Sequence, residues 1–224
     1  MGENIGADAA KLAGLLADLM HKIRARKITL QNLEWFNMLS EAERHQLSGN
    51  SIEDDRFHLI KTCEFMVSAD FNHDACLRDF QKKFKKEFYH FNPEITDNHF
   101  GNVSARLVPG QKLEARFYQI KQIKERVSSN ECLAFLMAVP KIILPGAQGL
   151  AELWKHIKDK EILPRGRWCL SFDEKDKLWQ DADGYHRVPG IYRISAGDWY
   201  FGLDYFENDW GSDYCLVCFR DLSN

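Results

Sequence analysis

Long hydrophobic runs are missing from this chain of 224 residues. Nowhere do about 18 consecutive apolar residues occur, the length a membrane-spanning helix requires, so no segment is expected to cross a bilayer. The N-terminus MGENIGADAAKLAGLLADLMHKIRARK lacks the charged start, unbroken apolar stretch and small-residue cleavage site of a secretory signal. Gly6 stands where a myristoylation motif needs Ser or Thr, which removes lipid anchoring through Gly2. Internal repeats and low-complexity tracts are absent, which excludes solenoid architectures. Charge of one sign is lacking too: 30 Lys and Arg face 33 Asp and Glu, a net charge of −3 that announces neither a polyanionic partner nor a membrane surface.

The sequence motifs of common enzymes are also missing. PGAQG at 145–149 follows a short apolar run and precedes a helical pattern, the setting in which a helix N-terminus binds phosphate. It lacks both the Lys-Ser/Thr pair of a P-loop and the glycine spacing of a dinucleotide fingerprint, and reads as a tight turn. His73, His90 and His99 do not have the i, i+4 spacing of a zinc enzyme. No Ser sits in G-x-S-x-G. Cys215 and Cys218 form a lone CxxC inside YCLVCF; on a strand, residues three apart face opposite ways, so the two sulfurs are expected to pack rather than share a metal. No cofactor or metal is expected.

Six cysteines scattered through a chain without a secretion signal read as reduced thiols in a soluble cytoplasmic protein. The hydrophobic content of 45% suffices for a core that needs no disulfide. The balanced net charge hides a gradient. Residues 1–77 carry 8 Lys/Arg against 12 Asp/Glu, residues 78–167 carry 17 against 10, and residues 168–224 carry 5 against 11.

Periodicity predicts an α+β chain: a small helical N-terminal module at 1–50, a polar linker, and a mixed main domain at 57–224 with a largely antiparallel, β-rich C-terminal half. Leu12, Leu15, Leu16, Leu19, Met20 and Ile23 recur at helical spacing in the module. Phe57 to Val67 reads as a strand. Leu77, Phe80, Phe84, Phe88 and Phe91 predict one amphipathic helix over 72–91 with a cationic outer face. Residues 103–108 and 112–120, divided by Pro109-Gly110, predict a hairpin. Ser128 with Glu131 makes a capping box for a helix ending before Pro140. A strand at 142–144, a helix through Leu150, Leu153, Trp154 and Ile157, and a strand at 168–172 would permit a parallel crossover. Beyond 172, short β-favouring runs alternate with turn clusters at Asp183-Gly184, Pro189-Gly190 and Gly197-Asp198.

The strings ITLQNLEWFNMLSEAER, RVSSNECLAFL, GAQGLAELW, LPRGRWCLSFDEKDKLWQDADGYHRVP and DYCLVCF together resemble a group of uncharacterised bacterial proteins. In that group a short helical leader precedes a mixed domain with a Trp-rich C-terminal half. The resemblance implies an intracellular bacterial origin and assigns no activity, cofactor or residue role.

Two segments hold the candidate functional residues. Trp and Tyr crowd the last quarter of the chain, and both are favoured where one end of a side chain is buried and the other wet. Trp179, Tyr185, Arg187, Trp199 and Trp210, rimmed by Asp204, Glu207, Asp209 and Asp213, form the leading candidate: a non-catalytic surface for a protein or small ligand, such as a cationic peptide or a sugar. FDEKDKLWQDADGYHR at 172–187 supplies the alternative, a hydrolase or transferase drawing its acid and base from Asp181, Asp183 and His186. Asp183-Gly184 equally suits a plain hairpin turn. A third reading, weak nucleic-acid binding through the basic 78–126 region, requires Lys82, Lys85 and Lys86 to join Lys121, Lys124 and Arg126 in one positive surface.

Overall fold

The computed structural model describes residues 54–121, 126–163, 166–194 and 198–223. The module expected at 1–50, Lys124 and the turn at Gly197 lie outside them. The described elements, in chain order, are β1 (Phe57–Met66), α1 (Cys76–Phe84), β2 (Phe88–Phe91), α2 (Asp97–Phe100), β3 (Lys112–Ile120), β4 (Val127–Ser128), α3 (Ser129–Met137), β5 (Ile142–Ile143), α4 (Gly146–Ile157), β6 (Trp168–Leu170), β7 (Arg187–Arg193), β8 (Trp199–Tyr205), β9 (Asp209–Trp210) and β10 (Tyr214–Asp221). The fold class is α+β.

Seven strands run in the order β1-β3-β10-β6-β7-β8-β2, with β5 as an eighth pairing on β10, while β4 and β9 form a separate small ladder. Within the large sheet, β10–β6 and β8–β2 are parallel and the other pairs antiparallel. Both faces carry a core, which is why β10 is apolar without alternation: Cys215, Val217 and Phe219 face one core, Leu216 and Cys218 the other. The first core receives α1 and α4 through Leu77, Phe80, Leu150, Leu153, Trp154 and Ile157. Helix α4 lies close to the sheet at Gly149, where a Cβ would stand 2.9 Å from the Phe219 ring. The second core receives α3 through Cys132, Phe135 and Leu136. Strand β1 serves both, because a register shift between Leu59 and Lys61 turns Phe57 to the second core and Cys63 and Phe65 to the first.

The capping box is present: Glu131 N–H donates to Ser128 Oγ at 3.4 Å and Ser128 N–H to Glu131 Oε2 at 3.0 Å. Four other expectations change. The predicted helix over 72–91 is α1, a short 3-10 turn and β2, because the β-favouring run FYHF pairs with β8 and so buries Phe88 and Phe91 against Phe201 and Trp154. The predicted 103–108 strand does not form. Its partner β3 is taken by β1 and β10, and the loop is instead held by Ala105 N–H donating to Leu144 O and Ser104 donating to Asp173. Strands β5 and β6 are not parallel neighbours; both use the same edge of β10, antiparallel at 219–220 and parallel at 214–216. Pro189-Gly190 lies inside β7 rather than at a turn.

Candidate functional site

Cross-strand register assembles an aromatic row. Tyr214 on β10 pairs with Trp168 on β6, Trp168 with Tyr192 on β7, Tyr192 with Tyr200 on β8, and Tyr200 with His90 on β2. Side chains at one register level share a face, so five aromatic residues rise from about 19 Å of sheet, with the Trp168 indole leaning across β7 to within 6.3 Å of Tyr200. The centroid distances are 5.3 Å for Trp168–Tyr192, 6.1 Å for Tyr192–Tyr200 and 5.8 Å for Tyr200–His90. A register shift between Phe88 and His90 brings Tyr89 beside Tyr200 as well, at 5.3 Å.

On this face α3 shares the second core with Phe57 of β1, Tyr118 and Ile120 of β3 and Leu216 and Cys218 of β10, and the same core reaches Leu170 of β6 and Val188 of β7. Trp168 and Tyr214 touch the margin of the second core, whereas Tyr192 and Tyr200 belong to neither core and Tyr89 is 73% exposed. The glycine pair Gly190 and Gly202 paves the sheet beneath Trp168, since a Cβ on Gly202 would lie 3.0 Å from the indole. Carboxylates adjoin the row. Asp204 accepts from the Tyr214 hydroxyl at 3.2 Å, and burial together with Asp204 pushes that hydroxyl up to about 12. Burial, with Tyr89 and Asp198 nearby, raises Tyr200 too.

The residues singled out from sequence are placed differently. Trp199 is 4% exposed and packs edge-on against Trp154; Trp210 is fully buried and donates from Nε1 to Ser129 Oγ at 2.7 Å. Neither offers a face to a ligand, because both satisfy the apolar demand of the cores. Trp179 is half-buried with His99 stacked on it at 4.1 Å. Tyr185 is exposed and meets Tyr205 edge-on, and the Arg187 guanidinium lies 3.7 Å from the Tyr205 ring centroid.

Asp181, Asp183 and His186 do not converge. Asp181 Oδ1 accepts from the backbone N–H groups of Asp183 and Tyr185, each at 3.0 Å, and Oδ2 accepts from Arg187 Nε at 2.8 Å. That carboxylate organises a turn closed by Gly184, whose φ is +88° and whose N–H donates to Asp181 O. His186 is engaged elsewhere, with Nδ1 2.8 Å from Glu207 Oε1. Asp183 lies exposed on the turn. In the basic region, Lys82, Lys85 and Lys86 flank β2 at one end of the strand order while Lys121 follows β3 near the other, about 24 Å apart at ordinary strand spacing. The PGAQG turn already has an anion beside it: a Cβ on Gly146 would lie 3.4 Å from Asp173 Oδ2.

Trp168, Tyr192, Tyr200 and Tyr89 were not separable from the other aromatics by sequence, since only strand register brings them together. A partial signal exists in the glycines opposite them, because Gly in a strand marks a close approach. No family model matches this chain, and no curated protein or solved structure does. No helix among the described residues is long and apolar enough to cross a membrane. All six cysteines are free and buried.

Proposed function

We propose that the chain is a non-catalytic binding protein whose aromatic row receives an extended, proline-containing, basic peptide. The observation that carries the reading is the register-aligned group Trp168, Tyr192, Tyr200 and His90, with the exposed Tyr89 beside it, of which Tyr192 and Tyr200 belong to neither core. Two features favour this ligand. The rings are tilted to one another, by 30° for Trp168–Tyr192 and 70° for Tyr192–Tyr200, which forms grooves for prolyl rings rather than the level floor a sugar prefers. Asp198 and Asp204 adjoin the tyrosines and complement a cation, whereas phosphodiesters would be repelled. Free thiols throughout support a reducing compartment, the cytoplasm.

The test is calorimetric titration of a synthetic peptide carrying Pro-x-x-Pro repeats and an arginine, alongside a linear oligosaccharide and a mixed oligonucleotide. Saturable peptide binding is expected, weakened at least about tenfold by Tyr200→Ala, the loss of one well-placed aromatic contact. Absence of peptide binding, or equal binding by Tyr200→Ala, overturns the proposal. Selective binding of the oligosaccharide or oligonucleotide would reassign the row.

A further inference from the structure

A cavity of about 400 Å³ opens where the C-terminal end of α3 meets the far edge of the sheet, away from the aromatic row. Its volume lies in the range of small-molecule sites. Its apolar wall is already ordered: Phe57 stacks on Phe135 at 4.1 Å, Tyr118 meets Phe135 edge-on at 4.9 Å, and Val139 closes the helix side. Its polar wall carries Asp54, Asp55, Arg116 and Lys121, with Arg116 set apart from the acids along β3. Arg116 is under-neutralised. Glu114 Oε1 accepts from Arg116 Nε at 2.6 Å and also from Arg220 Nη1 at 3.1 Å, so one carboxylate serves two guanidinium groups that are only 21% and 24% exposed. Arg220 Nε is buried without a partner, a further sign of unmatched positive charge on this patch.

The acidic residues at the rim lie by the end of β3, where Arg56 binds both Asp54 and Glu131, rather than beside Arg116. Asp54 is held by Arg56 through Oδ1 at 2.9 Å and Oδ2 at 2.7 Å, a contact that holds its carboxyl below the usual range. Asp55 is fully exposed and stands 3.9 Å from Lys121. A half-enclosed space with an aromatic floor and, at one end, a guanidinium that shares its carboxylate with a second one selects a ligand that is flat, apolar and negatively charged at one end.

We infer that this cavity is a binding site for a small aromatic anion, a carboxylate or sulfonate, with the acid group on the Arg116 side and the ring against Tyr118 and Phe135. The proposal is independent of the peptide surface. It is tested with two fluorescent probes sharing one frame, anilinonaphthalene sulfonate and its uncharged counterpart phenylnaphthylamine. The wild-type chain is expected to bind the sulfonate saturably and at least about tenfold more tightly than the neutral probe, the effect of one charge-assisted hydrogen bond. Arg116→Gln should abolish that preference by weakening the sulfonate alone, and Val139→Trp, which fills the space, should exclude both. Equal affinity for the two probes, an unchanged preference in Arg116→Gln, or unimpaired binding by Val139→Trp overturns the inference. Should Arg116→Gln lose its folded circular dichroism spectrum, Arg116→Lys keeps the charge that Glu114 meets but loses the guanidinium fork, and must reduce the sulfonate preference.

Discussion

Gly190 and Gly202 face each other across β7 and β8, and the benzo ring of Trp168 occupies the space a side chain would take on either. The two glycines are not equivalent. A Cβ on Gly202 would meet only Trp168, at 3.0 and 3.3 Å, and that indole is half-exposed and can move outward. A Cβ on Gly190 would come within 2.8 Å of Leu170 Cδ2, which is fully buried and has no outward path.

Gly202→Ala is therefore expected to lose about 1 kcal/mol and Gly190→Ala about 2–3 kcal/mol, within the usual range for overpacking. Chemical denaturation gives the ranking, and tryptophan emission should shift to the red in Gly202→Ala as Trp168 is lifted. Equal losses would show that the sheet, rather than the ring, absorbs the added methyl group.

A second expectation concerns the buried indole of Trp210. Ser129 Oγ accepts its N–H at 2.7 Å, and both residues are sealed at 0% and 2% exposure. Ser129→Ala removes the acceptor and leaves a buried donor unpaired, which costs about 1–3 kcal/mol. Trp210→Phe removes the donor as well. In Trp210→Phe the further change Ser129→Ala should cost less than it does in the wild type, and a double-mutant cycle on denaturation midpoints reads that difference.

What was legible in the sequence was what local chemistry decides. Ser128 and Glu131 satisfy each other within one turn, so that helix start needed no tertiary information. The α+β class and the opposed faces of Cys215 and Cys218 follow from period alone, and the two thiols do lie in different cores. Phe80, Phe84, Phe88 and Phe91 keep helical spacing, yet the chain leaves the helix after Phe84 because β8 offers β2 a strand partner, and strand pairing is not written into either segment alone. The aromatic row was hidden for the same reason. Its members come from β2, β6, β7 and β8, strands distant in sequence, while Trp199 turns inward by one residue of register from Tyr200 and Trp210 enters the second core from the separate β4–β9 ladder.

Glu152 on α4 is fully buried yet carries three donors: Ser68 N–H at 3.0 Å and Ser68 Oγ at 2.8 Å on one oxygen, Lys155 Nζ at 2.5 Å on the other. The partners differ in exposure, since 25% of the Lys155 side chain reaches solvent. Lys155→Met strands a buried carboxylate and is expected to cost about 3 kcal/mol, whereas Glu152→Gln leaves Lys155 free to turn to water and should cost less. The double variant should be more stable than Lys155→Met alone. A double variant that is weaker would mean that the carboxylate is compensated by Ser68 alone.

Asp173 supplies the pH dependence. It is 2% exposed, has no cationic partner among the described residues, and accepts from Ser104 Oγ, Ser104 N–H at 3.2 Å and Glu174 N–H at 2.8 Å. Burial outweighs these donors and pushes its carboxyl up to about 6. An unfolded aspartate titrates near 3.9. Between these values the folded chain holds a proton that the unfolded chain has released, so the stability linked to Asp173 is complete below about pH 4 and is lost as pH rises through 6. Two pH units correspond to about 3 kcal/mol. Asp173→Asn keeps an oxygen for the Ser104 donors and removes the titration. The difference in unfolding free energy between variant and wild type should therefore shift in favour of the variant by about 2–3 kcal/mol from pH 4 to pH 7. Urea melts at matched ionic strength read it directly, and a difference constant with pH would mean that the Ser104 and Glu174 donors hold the folded carboxyl at its unfolded value.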